Sequence, residues 1–253
     1  MSDIKHKPAG VLMLIAIAVC LVFGANAWKS SLRIKQIKID GNRIVGENEI
    51  IQLTQIQMNA LLYKVDLTAI QRNVMSHHYI KDAVVERNLP NSIHIQVAER
   101  VPIVIVNRPE TIYLDESGMV LPRSISHRLF DLPMISGISE NIPLALGSII
   151  RQPDVIEALQ LLATMKTVNR PMYHNVSEVQ VRNGGDIVIY STEGGVPIIF
   201  GRGEISSKLV RLETFWNNVV RTRGTQLLQY VDLRYQDQIV ARWNPEPSAI
   251  KSL

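Results

Sequence analysis

The sequence predicts an α+β protein: one N-terminal transmembrane helix, a β-α-α-β-β domain, then a mainly antiparallel β domain with flanking helices. Three observations predict it. The stretch from Gly10 to Trp28, GVLMLIAIAVCLVFGANAW, has no charged residue, and at about 1.5 Å per helical residue it covers roughly the 30 Å of bilayer hydrocarbon. From Ile34 to Arg100, segments alternating apolar and polar residues bracket two segments of helical period. From about Ile112 onward, short alternating runs are separated by Gly and Asn turn chemistry. The resulting limits are a tail at 1–9, a transmembrane helix at 10–28, a first domain at 33–105, a second at 110–244 and a tail at 245–253. With 46% hydrophobic and 20% charged residues, the chain has the composition of a folded protein.

The N-terminal segment fits two readings. One is a transmembrane anchor. The other is a cleavable signal, with Lys5, His6 and Lys7 as the basic start, Val11 to Phe23 as the apolar centre and Ala25-Asn26-Ala27 as the small-x-small site. Lysine and arginine counting does not set the orientation, because Lys29, Arg33, Lys35 and Lys38 follow the segment more densely than Lys5 and Lys7 precede it. If the short tail stays inside, everything after Trp28 lies outside the cytoplasm.

In the first domain IKQIKID alternates Ile34, Ile37 and Ile39 with lysines, and Gly41-Asn42 closes it as a strand and turn. GENEIIQLTQI then sets Ile50, Leu53 and Ile56 at helical spacing behind a glutamate-rich first turn. Asp66 is placed to cap a second helix that buries Leu67, Ile70 and Val74, ending near His77-His78. YIKDAVVERNLPNSIHIQVAER gives two strands around the turn NLPN.

In the second domain Asp115 to Gly118 separates TIYL from MVLP as a hairpin, with Gly118 free to take a positive φ. After Pro153, Val155, Leu159, Leu162 and Met165 form one helical stripe. VSEVQVRNGGDIVIYSTEGGVPIIFG reads as strands broken at Asn183-Gly184-Gly185 and Gly194-Gly195. The segment EISSKLVRLETFWNNVVRT is a further helix with Leu209, Leu212, Phe215, Val219 and Val220 facing a sheet. Last comes a hairpin: LLQYVDLRY turns Leu227, Val231, Leu233 and Tyr235 to one side and Leu228, Tyr230, Asp232 and Arg234 to the other. IVARW returns, and Pro245 and Pro247 stop further pairing.

Several chemistries are excluded by the residues. FGRGEISSK fails as a phosphate loop: Ser206 stands where a dinucleotide fingerprint needs glycine, and Ser207-Lys208 reverses the lysine-then-hydroxyl order of a P-loop. His77-His78 point apart on a helix, and His94, His127 and His174 are scattered, so no metal ligand set is expected. No G-x-S-x-G elbow is present. Asp115-Glu116 is turn chemistry, with no second carboxylate placed for acid-base work. We therefore expect no catalytic residues and no cofactor. The net charge of +4 is not gathered into a basic stripe, which argues against nucleic acid. The single cysteine, Cys20, precludes an intramolecular disulfide. What remains is binding, for which the closing strand offers an edge that another chain can extend, flanked by Arg234, Tyr235 and Trp243, residue types common at interface hot spots.

The order of motifs then resembles one family. A β-α-α-β-β module directly after a single anchor, opening with IKIDGN and closing with VERNLPNSIHIQVAERVPIVIV, resembles the POTRA domain of the bacterial cell-division FtsQ/DivIB family. YLDESGMVLP, LPMISG and YVDLRY are similar to successive segments of that family's second domain, so the resemblance runs from the anchor to Trp243. It implies a divisome scaffold in the inner membrane, N-terminus cytoplasmic, both domains periplasmic, and septal during division. Residues 10–28 would sit in the membrane, the POTRA domain would meet early divisome proteins, and the end of the second domain would receive FtsB-like and FtsL-like coiled-coil membrane proteins, the former as an added strand. Self-association is left open. On this resemblance Arg234, Tyr235 and Trp243 match interface positions, and Arg202 is an expected partner for an acidic residue. The chain departs from the family's pattern at Asp237 and Gln238 in the last turn and at Arg242 before the tryptophan. The competing function is a POTRA-bearing secretion or outer-membrane assembly chaperone, although about 130 residues that include helices hold too few strands for a large barrel.

Overall fold

Helix α1 (Pro8–Ser31) has no polar side to its span: Leu12–Ser31 is apolar enough to cross a membrane and none of it is buried by the protein. A helix apolar on every side belongs in a protein core or in lipid, and one that no protein covers suits lipid. The computed structural model describes residues 8–108, 110–123, 130–182 and 184–245. The expectations placed on Lys5, His6, Lys7, His127, Asn183 and Pro247 fall outside these residues. The chain divides into two compact units, Met1–Glu99 and Arg100–Leu253.

In the first unit β1 (Gln36–Asp40) is followed by α2 (Glu47–Thr54), α3 (Leu67–Met75), β2 (Ile80–Asn88) and β3 (Ser92–Glu99). The sheet order is β1-β3-β2, with β1 parallel and β2 antiparallel to the central strand. Ile34, Ile50, Leu62, Ile70, Val74, Ile93 and Ile95 form the buried centre. Asp66 caps α3, its carboxylate accepting from the Thr68 and Ala69 amides at 2.9 and 3.1 Å. Glu99 fastens the loop after β1 by accepting from the amides of Arg43, Ile44 and Val45, each at 2.8 Å. Helix α2 is shorter than its apolar spacing suggests. Gln55 turns left-handed at its end, so Ile56 lies beyond the helix.

The second unit contains β4 (Pro102–Val106), β5 (Ile112–Asp115), β6 (Val120–Pro122), β7 (Met134–Ser136), α4 (Pro153–Val168), α5 (Arg170–His174), β8 (Val176–Gln180), β9 (Ile187–Ser191), β10 (Pro197–Gly201), α6 (Ile205–Phe215), α7 (Arg221–Arg223), β11 (Leu228–Asp232) and β12 (Val240–Trp243). Its sheet runs β12-β11-β10-β9-β8-β7-β4-β5-β6. Among the described residues five neighbouring pairs are antiparallel and three, β4–β7, β7–β8 and β10–β11, are parallel. Pro102–Val106 belongs to this sheet, so the first unit stops at Glu99, short of the expected limit at 105.

Packing on the sheet follows the apolar stripes. Val155, Leu159, Leu162 and Met165 of α4 are buried together with Ala158 and Leu161. After α6 the helix makes a π-turn, Trp216–Val220, which carries Trp216 and Val220 inward and leaves Val219 only half-buried. The β5–β6 hairpin is tied as its sequence implies: Asp115 accepts from the Ser117 and Met119 amides and from Arg100, all at 2.9 Å, and Gly118 takes φ +80°.

The pairing of β4 with β5 slips between Pro102 and Val104. There the buried Tyr173 hydroxyl donates to the Ile103 carbonyl at 2.9 Å. Burial first, and the negative charge of Asp131 second, push this phenol up to about 12, so it stays protonated and donating. Tyr173→Phe therefore strips a buried carbonyl of its partner, and we expect a loss of about 1–3 kcal/mol, read as a lower midpoint in denaturant titration of the full chain in detergent.

Candidate functional site

Strand β12 terminates the nine-stranded sheet. Its only strand partner among the described residues is β11, in the register Leu228↔Trp243, Tyr230↔Arg242, Val231↔Ala241 and Asp232↔Val240. Asn244 N–H donates to the Leu227 carbonyl at 2.7 Å. Because antiparallel strands alternate hydrogen-bonded and open pairs, this fixes the phase. Arg242 and Val240 turn their peptide groups toward β11, while Ala241 turns its N–H and C=O to the outer edge.

The alternation expected along LLQYVDLRY is broken by a bulge between Leu228 and Tyr230. An extra residue in one strand flips all that follows it relative to what precedes it. Leu228 therefore enters the core together with Val231 and Leu233, instead of facing away from them. The exposed Gln229 lies at the bulge and its amide donates to the Asn244 side chain. Strand β11 ends at Asp232, so Arg234 and Tyr235 lie just past it.

Arg234 is held by two carboxylates. Its Nε and Nη2 donate to Asp232, at 3.0 and 2.7 Å to the nearer oxygens, and Nη1 donates to Asp186 at 2.9 Å. The Arg234 fork holds the Asp232 carboxyl below the usual carboxylate range against the opposing effect of burial, and Asp232 in turn raises the guanidinium further. The stem of Arg234 crosses Gly201, where an added Cβ would lie 2.7 Å from Arg234 Cγ. Gly201 also has φ +72°, so backbone and space both call for glycine there.

Arg202 meets carboxylates of its own unit. It donates to Glu157 at 2.8 Å, to Asp154 at 2.6 Å and to the Gly185 carbonyl at 2.6 Å. Its bond to Glu157 is the main cause that raises the guanidinium, and the Gly184 amide, followed by Arg202, lowers the Asp154 carboxyl. Lys208, buried, donates to the Phe200 and Arg202 carbonyls at 3.1 and 2.6 Å, and its burial depresses the ammonium. The lysine of FGRGEISSK thus closes the end of β10 rather than facing a phosphate.

Tyr235 is 48% exposed, and its carbonyl accepts from Arg211 of α6 at 3.0 Å. Trp243, at the other end of β12, packs half-buried on the core beneath the Arg223 guanidinium, 5.4 Å from the ring centroid. The fold brings Arg202, Arg234 and Tyr235 to the strand ends of β10 and β11, and sets Trp243 at the far end of the same edge. Sequence reasoning missed Asp186, Asp232, Arg211 and Arg223. Only Asp232 carried a signal, an aspartate two residues before an arginine, whose carboxylate also accepts the Arg234 amide at 3.0 Å.

Acid should loosen this corner first. Asp154 and Asp232 have folded-state values below that of an ordinary aspartate, so their stabilisation is present above the ordinary value and is lost as pH falls through the folded values. We expect the unfolding midpoint of the full chain to drop from about pH 4 downward. Asp232→Asn should cost about 1–2 kcal/mol at neutral pH, because Arg234 is partly solvated, and should flatten the acid slope. Denaturant titrations across that range check both.

Known proteins place this architecture. A family model for the POTRA domain, FtsQ-type, matches residues 32–100, and one described as FtsQ/DivIB, C-terminal related, matches residues 101–242. The cell division protein FtsQ of Geobacter sp. (strain M21) is 27% identical over 89% of this chain and 84% of its own. That of Rhodothermus marinus is 29% identical over 99% and 92%. The cell division protein DivIB of Clostridium tetani is 28% identical over 51% and 48%. The N-terminal apolar helix fits a single-pass membrane protein, and with one model matching residues 101–242 the chain belongs to the FtsQ/DivIB family of cell-division proteins.

Proposed function

We propose that the protein is a non-enzymatic divisome scaffold, anchored with its N-terminus in the cytoplasm and both folded units in the periplasm, that acts at the septum. Its second unit binds FtsB-like and FtsL-like coiled-coil membrane proteins, the FtsB-like chain adding a strand to β12, and so helps control septal peptidoglycan synthesis. Its first unit receives early division proteins. The observation that carries this reading is the position of β12: a sheet-terminal strand whose outward peptide groups at Ala241 are flanked by Tyr235 and Arg234 at one end and Trp243 at the other. Added strands bind through such main-chain groups, and flanking side chains select the partner.

The docking test uses Ala241→Pro. Proline removes an N–H that the internal ladder does not use, and edge strands accept it, so the fold should hold while capture of the coiled-coil pair is lost. Trp243→Ala is less clean, since Trp243 also packs on the core. A photo-crosslinker at Tyr235 in living cells should recover a small single-pass coiled-coil protein, and Ala241→Pro should abolish that product at unchanged unfolding midpoint. Normal capture by a folded Ala241→Pro chain rejects strand addition at this edge; recovery of outer-membrane barrel precursors favours the chaperone reading.

A further inference from the structure

Within the first unit no linker separates α1 from the β-α-α-β-β fold. The helix ends at Ser31, and Leu32 already accepts from the Leu62 amide at 2.8 Å, followed by Ile34 N–H to the Ala60 carbonyl at 2.9 Å. Arg33 bridges to Leu61 and donates to the Asn59 carbonyl. Tyr63 therefore stands beside the last turn of α1, its ring 5.8 Å from Lys29 Nζ and 5.6 Å from Arg87 Cζ. The parallel pairing of β1 with β3 brings the turn before Ser92 to the same end, and the amide of Lys35 donates to the Asn91 carbonyl at 2.8 Å. Three segments, residues 28–36, 57–65 and 87–92, thus meet where the helix leaves its apolar span.

Their composition is one-sided. They carry Lys29, Arg33, Lys35, Lys64 and Arg87 and no carboxylate within these bounds. Asp66 and Glu86 adjoin them, Asp66 engaged in capping α3, whereas Asp40, Glu47, Glu49 and Glu99 lie toward the opposite end of β1, with Arg43 among them. They also leave large apolar groups in solvent: Trp28 is 54% exposed, Met58 52%, Tyr63 41% and Leu89 49%. Apolar and aromatic groups ringed by cations suit the headgroup layer of a bilayer, which extends roughly 5–8 Å beyond the hydrocarbon on each side.

We propose that this end of the first unit lies on the anionic phospholipid headgroups of the leaflet in which α1 ends. Trp28, Met58, Tyr63 and Leu89 enter the interfacial layer, and Lys29, Arg33, Lys35 and Lys64 face the lipid phosphates. The inference rests on α1 spanning the membrane, and it holds for either orientation. It also gives a purpose to the dense basic residues after the span, which counting for orientation left unexplained. The unit is then seated on the membrane with its β1 end raised, instead of swinging on a tether.

The test reconstitutes the full chain, labelled at single cysteines with an environment-sensitive fluorophore, into vesicles carrying a headgroup-level lipid quencher, replaced for Cys20 by a quencher deep in the acyl chains, because Cys20 lies near the middle of the span. Met58→Cys and Leu89→Cys report the contact and Asn48→Cys the raised end, all in a Cys20→Ser background; the native Cys20, within α1, reports the span. In phosphatidylcholine vesicles containing phosphatidylglycerol, quenching should be strong at 58 and 89 and weak at 48. It should weaken in phosphatidylcholine alone. Lys64→Gln should lower the seated-to-free ratio roughly fivefold, the attraction of one cation near such a surface. Equal, weak quenching at 58, 89 and 48 while Cys20 is quenched overturns the proposal and leaves the anchor intact. Quenching at 58 and 89 that ignores lipid charge overturns the headgroup pairing. An unquenched Cys20 overturns the anchor itself and the proposal with it.

Discussion

Arg234 places its guanidinium between Asp232 and Asp186, and the last two strands depend on that fork. Strand β11 joins the sheet through only two register pairs with β10, Ile198↔Val231 and Ile199↔Asp232, extended by Leu233 N–H to the Ile199 carbonyl. So short a parallel pairing needs support at its end. Val231 and Leu233 supply it from the core, where both are fully buried. Arg234 supplies it at the surface by joining the strand end to Asp186, just before β9, and Arg211 holds the following turn through the Tyr235 and Gln238 carbonyls. The edge on β12 is therefore presented from a braced base rather than from a loose hairpin.

The same bracing sets the charge that an incoming chain would meet in the proposed docking. Arg202, Lys208, Arg211 and Arg234 face Asp154, Glu157, Asp186, Glu204 and Asp232, so four cations are set against five carboxylates. Their close geometry gives little long-range positive field. In the proposed docking, the attraction of this corner for an acidic residue would thus be short-ranged and depend on geometry, with backbone recognised first and side chains second.

Much of the fold is legible because it rests on local rules. Ile37 and Ile39 alternate with exposed residues along β1, Asp66 caps a helix, Asp115 ties a turn, and the α4 stripe is buried where its spacing puts it. What was not legible is non-local. The four parallel pairings, β1–β3 in the first unit and three in the second, join strands through long crossovers, so neither partner nor direction is set by neighbouring residues. A bulge at Gln229 cannot be read from a pattern that its own insertion interrupts. The site shows the same division. Arg234, Tyr235 and Trp243 stood out by residue type, but Asp186 lies 48 residues before the arginine it pairs with. Arg202, expected to await an outside carboxylate, meets Asp154 and Glu157, contributed by an earlier helix.

An open edge is a hazard as well as the docking site proposed for it, and the hairpin limits that hazard. The strand has four residues, is distorted by the bulge opposite it, and exposes Arg242 beside its outward peptide group. Short, irregular, charged edges resist pairing with copies of themselves. A partner that adds a strand there has to offer more than backbone, and the two arginines differ in what they can give it. Arg202 has both its acidic partners on one packed helix and is 32% exposed, while Arg234 is 44% exposed and its Asp186 partner 35%. Asp232, at 5%, is not displaceable without unmaking the strand end. In the proposed docking, a partner carboxylate would therefore compete with Asp186 for Nη1 of Arg234 and leave the Asp232 contact in place. That exchange trades one solvent-screened ion pair for another, so the acidic residue would select the register of the added strand more than it would tighten binding.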